Sequence, residues 1–198
     1  MKKNIVFRSY DGKIDVSMVH EFEKKTGFKF PKSYINIITK YNEARIANHM
    51  NVFYFYSNLI DRYESYSIGC FLGYNTDCSI ESYWENILVD EEYDDDDGED
   101  YVAQAPFPKN VIRFAVDPAG EGICFDYRHD PKTDNPKIVV WHHEAESGSS
   151  SELSFVATSF DEFLDMLYDR NSAAGKIYNE ELFWKNRENR RKEALENQ

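Results

Sequence analysis

Between Tyr63 and Pro108 the chain carries no lysine and no arginine. The same window holds thirteen acidic residues, matching the net charge of −13 on the whole chain. Elsewhere, twenty-three basic and twenty-three acidic side chains cancel. Nine of the thirteen carboxylates fall in one run: Asp90, Glu91, Glu92, Asp94, Asp95, Asp96, Asp97, Glu99 and Asp100, with Tyr93 and Gly98 among them. A block of one sign repels itself, stays solvated and draws in partners of the opposite sign. Phosphate contacts need Lys and Arg, so neither nucleic acid nor an anionic membrane is an expected partner.

Other absences narrow the field further. No apolar run reaches eighteen residues, which excludes a transmembrane helix. The N-terminal stretch Met1 to Arg8 has charges but no long apolar segment, so it is not read as a signal peptide. Cysteine is scarce: Cys70, Cys78 and Cys124 make an odd set without paired spacing. Reduced, buried thiols in a cytoplasmic protein are expected. What the chain has in quantity is aromatic side chains, 16% of its 198 residues, each of which buries a large area. That suffices for one domain with a real core.

Along the chain, residues 15–26 read as a helix capped by Asp15 and stopped by Gly27, with Met18, Val19 and Phe22 at helical spacing. Pro31 suits the first turn of a second helix, whose stripe Tyr34, Ile35, Ile38 and Tyr41 runs to about Asn42. Strands are expected over Val52 to Phe55 and Ile68 to Leu72, then a short helix from Ile80 to Val89. Past Pro108, Val111 to Val116 and Ile123 to Tyr127 flank a Pro- and Gly-bearing reverse turn. Ile138 to Trp141 reads as a central strand and Phe155 to Ala157 as a last one. Ser159 to Glu162 is a capping box opening a helix with Phe160, Phe163, Leu164 and Leu167 on one face. The fold class is α+β: two N-terminal helices, a mostly antiparallel sheet of about five or six strands and a closing C-terminal helix. Residues 1–170 form the domain, with 90–100 as an acidic loop insertion. Residues 171–198 are a charged helical extension, net positive from Lys185 onward.

Several anchors together resemble the SUKH superfamily. Glu23 to Tyr34, with Tyr41-Asn42, resembles its N-terminal signature: a helix ending in Gly, then a hydrophobic-Pro-x-x-Tyr start to the next. Phe107-Pro108 with Val111 to Ala115 is similar to the family, as is Gly120-Glu121-Gly122 before Ile123 to Tyr127. Val139 to Glu144 and Val156 to Leu164 resemble its last strands and closing helix. The likeness covers residues 15–168. It departs at Glu43-Ala44, where members commonly place Gly after the Asn, and this bears on the local turn. The resemblance implies a non-catalytic domain. Most bacterial members resemble immunity proteins, which bind and neutralise a cognate secreted toxin, often a nuclease; fungal relatives regulate cell-wall synthesis.

Chemical readings of the same residues fare poorly. An EF-hand loop built on Gly98 would put Tyr93 first and Gln104 last, and one on Gly122 would end on Arg128; both lack the required oxygen ligands. His142-His143-Glu144 looks metallic, but neighbours at a strand end face opposite ways, so the imidazoles should not converge. Cys124 and Asp126 share a strand face near His129 and read as a core thiol and a strand-edge carboxylate rather than a nucleophile and base. Gly120-x-Gly122 lacks the third Gly and the Lys of phosphate loops, so it is a turn. Paired carboxylates are too dense to single out.

No enzymatic activity, cofactor or metal is therefore expected. The leading expectation is an immunity protein that occludes a basic toxin domain. Its partner-binding residues would be Glu81, Glu85, Asp90, Glu91, Glu92, Tyr93, Asp94, Asp95, Asp96, Asp97, Glu99 and Asp100. The alternative is a non-catalytic intracellular regulatory or scaffolding module. The tail cluster Lys185, Arg187, Arg190, Arg191 and Lys192 would shield the acidic surface or pair it with a second copy as a homodimer.

Overall fold

The computed structural model describes residues 4–76, 78–86 and 107–196. Strand β1 (Phe7–Arg8) leads into α1 (Val16–Thr26) and α2 (Lys32–Ile38). Asp15 caps α1 by accepting the Ser17 N–H at 2.8 Å. Gly27 ends it at φ 81°, in the left-handed region that glycine adopts without penalty. Between the helices, the buried Glu23 carboxylate accepts the Phe30 N–H at 2.8 Å and Lys29 Nζ at 3.2 Å. Burial pushes that carboxyl up; the Phe30, His20 and Lys29 bonds outweigh it and hold it below the usual range. The stripe expected to continue to Asn42 leaves the helix at Ile38, and Lys40 and Tyr41 both donate to the Ile37 carbonyl in the turn that follows.

Strand β2 (Arg45–Ile46) pairs with β1, and β3 (Val52–Ser57) pairs with β4 (Arg62–Ser67) as an antiparallel hairpin. The hairpin's second strand is an addition to the sequence reading. Apart from the exposed Arg62 its residues are half-buried and mostly polar, and Tyr66, opposite Phe53, packs against the core. The main sheet is antiparallel in the order β5 (Cys70–Phe71), β6 (Val111–Val116), β7 (Gly122–Asp126), β8 (Lys137–Trp141) and β9 (Leu153–Ala157). Helix α3 (Ile80–Asn86) lies between β5 and β6 in sequence; α4 (Phe160–Met166) and α5 (Ala173–Glu196) follow β9. The molecule is α+β, with helices at both ends of the chain and a five-stranded sheet.

Every residue of the middle strand β7 is buried, so each face of the sheet is covered. Ile123 and Phe125 join the main core with Tyr34, Phe114, Phe160 and Phe163. Their rings pack within about 6 Å, Phe114 stacking on Phe125 at 4.2 Å and Tyr34 meeting Phe125 edge-on at 5.2 Å. On the other face Cys124 lies with Val111, Val139, Trp141 and Leu153. The reverse turn between β6 and β7 is closed by Asp117, whose Oδ1 accepts the Ala119 and Glu121 N–H groups, with Gly120 at φ 98°.

Candidate partner-binding surface

The second face of the sheet carries the roots of the acidic window. Arg113 projects there from β6, its guanidinium carbon 4.6 Å from the Tyr83 ring, 4.7 Å from Trp141 and 5.3 Å from Phe107. Tyr83 is on α3, just before the acidic run, and Phe107 is just after it, itself 4.8 Å from Trp141. One cation among three aromatic faces therefore holds both ends of the segment against β6 and β8. Trp84, the next residue of α3, packs edge-on to Phe22 and Phe28, so the helix is keyed to α1 as well.

Of the residues expected to meet a partner, Glu81 is placed. It sits on the first turn of α3 with its Oε2 3.3 Å from the Asn75 N–H. It borders a groove of about 670 Å³ shared with Glu21, Lys25 and Met18 of α1. Glu85 is carried by the same helix. Asp90, Glu91, Glu92, Tyr93, Asp94, Asp95, Asp96, Asp97, Glu99 and Asp100 lie outside the described residues, as do Ile87 to Val89 of the expected helix. Most other aromatics of the acidic half are engaged in packing. Tyr74 is fully buried, Tyr66 stands 4.9 Å from Phe55, and Tyr56 meets Tyr63 at 5.1 Å.

The C-terminal extension docks on the hairpin. Asn186 accepts the Tyr63 N–H at 2.8 Å and donates to the Tyr63 carbonyl at 2.7 Å, so its amide acts as a one-residue strand on β4. Lys185 lies 5.2 Å from the Tyr63 ring centroid and 5.8 Å from that of Tyr54. Phe183 and Trp184 on the same helix remain more than half exposed.

The two histidines behave differently from the expectation. His142 is buried and His143 half-exposed, yet both imidazoles approach one carboxylate: Glu121 is 3.7 Å from His142 Nδ1 and 3.4 Å from His143 Nδ1. Register explains it, because pairing Gly122 with Trp141 brings Glu121 opposite His142. Burial raises the Glu121 carboxyl, and the two imidazoles with the His143 N–H at 3.0 Å outweigh it and hold it low.

His142 Nε2 also lies 2.8 Å from Ser154 Oγ, which gives Ser154, His142 and Glu121 the order of a hydrolytic triad. Access rules against that use. Ser154 and His142 are fully buried, the serine oxygen already takes the Asn58 N–H at 2.8 Å, and 3.7 Å is too long for a hydrogen bond to Glu121. The trio ties the hairpin loop to the sheet. Cys124 is equally closed: it is fully buried, which pushes its thiol up to about 12. Asp126 is engaged by Arg128 through both carboxylate oxygens, at 2.8 and 2.9 Å.

A family model for the SMI1 / KNR4 family (SUKH-1) matches residues 13–166. The chain belongs to this family. The matched stretch runs from just before α1 to the end of α4 and includes the acidic window and its aromatic root. A SPbeta prophage-derived uncharacterized protein, YokK, of Bacillus subtilis (strain 168) is 37% identical over 70 residues, 35% of this chain. The chain spans about a third of that relative's length, 33%. Among the described residues, no helix of this SUKH chain is long and apolar enough to cross a membrane.

Proposed function

We propose that this chain is an immunity protein that binds a cognate secreted toxin in the cytoplasm of the producing cell. It neutralises the toxin by placing an acidic surface over a basic active cleft. The observation that carries the reading is the partition of charge. A SUKH scaffold whose charges cancel holds an uninterrupted acidic window by an aromatic and cationic root at each end. Membership of a family most of whose bacterial members resemble immunity proteins supports it, as does a relative derived from a prophage. Complementary charge speeds encounter and fixes register more than it adds affinity. The acidic run therefore steers, and Glu81 and Glu85 on α3 extend the contact toward the groove beside α1. If the toxin is a nuclease, the run imitates nucleic-acid phosphates.

The test is co-expression with candidate toxin domains, those encoded by neighbouring genes first, scoring survival and the association rate of the purified pair. Replacing Asp94, Asp95, Asp96 and Asp97 together by Asn is expected to slow association at low salt and flatten its salt dependence. Unchanged protection and unchanged association would refute the charge reading.

A further inference from the structure

A second cluster, apart from the acidic window, joins three segments of the scaffold. Glu43 follows α2, Cys70 opens β5, and Cys78 precedes α3. One ligand atom from each, two sulfurs and a carboxylate oxygen, lies within 4.8 Å of the others. Glu43 and Cys70 are buried and Cys78 is half-buried. We propose that Glu43, Cys70 and Cys78 form a binding site for a zinc-class divalent cation, with a solvent-derived fourth ligand.

Ligand chemistry and geometry both fit. Two thiolates with one carboxylate make a soft, tetrahedral donor set of the kind zinc takes. Zn–S bonds of about 2.3 Å put tetrahedral donors roughly 3.8 Å apart. The three donors therefore need to close by no more than about 1 Å. Charge balances as well. Without metal, Glu43 is paired with Arg45 at 3.1 Å. Binding M²⁺ forms two metal–sulfur bonds and sends two protons to solvent. Two thiolates, one carboxylate, the Arg45 guanidinium and the metal then sum to zero. A carboxylate has two oxygens, so Glu43 ligates through one while keeping Arg45 on the other.

The frame is fixed before any metal arrives. The Phe71 N–H bonds the Ala44 carbonyl at 2.8 Å, and the Gly73 N–H bonds the Cys78 carbonyl at 3.0 Å. Asn42 clamps Tyr74 through both its amide atoms, at 2.8 and 3.0 Å. Glu43 itself is held at φ 50°, a left-handed conformation that non-glycine residues rarely adopt. A metal there would fasten the lead-in to α3, and hence the start of the acidic run, to β5.

Cobalt(II) is the probe, added to the full-length, reduced, chelator-stripped protein. Expected are the visible bands of tetrahedral Co²⁺, a near-ultraviolet sulfur-to-metal charge-transfer band, displacement by Zn²⁺, and release of two protons per Zn²⁺ in weak buffer. Cys70→Ser and Cys78→Ser should abolish the charge-transfer band, Cys124→Ser should retain it, and Glu43→Gln should weaken binding more than about 10-fold. Wild-type spectra showing only weak octahedral bands, as carboxylates of the acidic run would give, overturn the site. So does proton release near zero. Both readouts use the wild-type chain and stand even where a serine variant fails to fold.

Discussion

Replacing Asn186 by Ala should free one identifiable amide without unfolding the domain. The Asn186 side chain makes two hydrogen bonds with Tyr63, at 2.8 and 2.7 Å, on a half-buried surface. At about 1 kcal/mol net for each, the pair contributes roughly 2 kcal/mol to the docking of α5. Since 1.4 kcal/mol is tenfold, the undocked population should rise about 30-fold. Hydrogen exchange reads this directly, because the Tyr63 N–H loses its acceptor. Its exchange should accelerate by at least that factor while the Phe125 amide in β7, at the centre of the sheet, keeps its wild-type rate. Lys185→Ala, which removes only a cation over two rings, should accelerate it no more than about fivefold, a cost below 1 kcal/mol. Wild-type exchange at Tyr63 in the Asn186→Ala chain would refute the idea that this amide holds the extension. Equal acceleration at Tyr63 and Phe125 would refute its local character.

Three further outcomes follow from the packing. Arg113→Ala removes a cation seated among Tyr83, Trp141 and Phe107, and should lower unfolding free energy by about 2 kcal/mol in urea titration with little change in slope. Gly73→Ala would place a Cβ 2.7 Å from Asn42 Oδ1 and 2.9 Å from the Glu43 N, so a loss of about 2 kcal/mol in the same titration is expected. Glu121 and Glu23 have folded-state pKa values below the unfolded value. Their stabilisation is therefore complete above the ordinary glutamate value and lost as pH falls through the lower, folded one. Glu121→Gln should lower stability at pH 7 and make its fall below about pH 4.5 shallower, as followed by thermal melts across pH. An acid limb as steep as that of the wild type would contradict this account.

Local signals in the sequence were legible. Asp15 and Gly27 bound α1 as their chemistry requires, and Ser159 caps α4 by accepting the Glu162 N–H at 3.1 Å. The alternation in β7 assigned Ile123 and Phe125 to one face and Cys124 to the other, and the two clusters separate them that way. Non-local facts were hidden. Strand β4 lacks a clear apolar alternation; it exists because all six of its residues, Arg62 to Ser67, pair with β3. Adjacent histidines should part company on a strand, but Glu121 comes from another strand's turn and reaches both. The helical tendency of the tail was plain, whereas nothing in its periodicity named Tyr63 as the backbone it would meet. At Glu43, the departure from the family's glycine was visible in sequence, and φ 50° shows that the turn kept a glycine-like shape with a carboxylate attached.

The three-ring seat of Arg113 also bears on how such a protein changes over generations. Tyr83 and Phe107, which flank the acidic run in sequence, meet at one side chain, so the two ends of that connection are held together. Lengthening a connection whose ends are already held together is cheap, about 0.6 kcal/mol for each doubling. On the immunity reading proposed above, substitutions in this connection would alter recognition without touching the sheet or its aromatic core. A single arginine, among Tyr83, Phe107 and Trp141, marks the border between the packed sheet and the acidic connection.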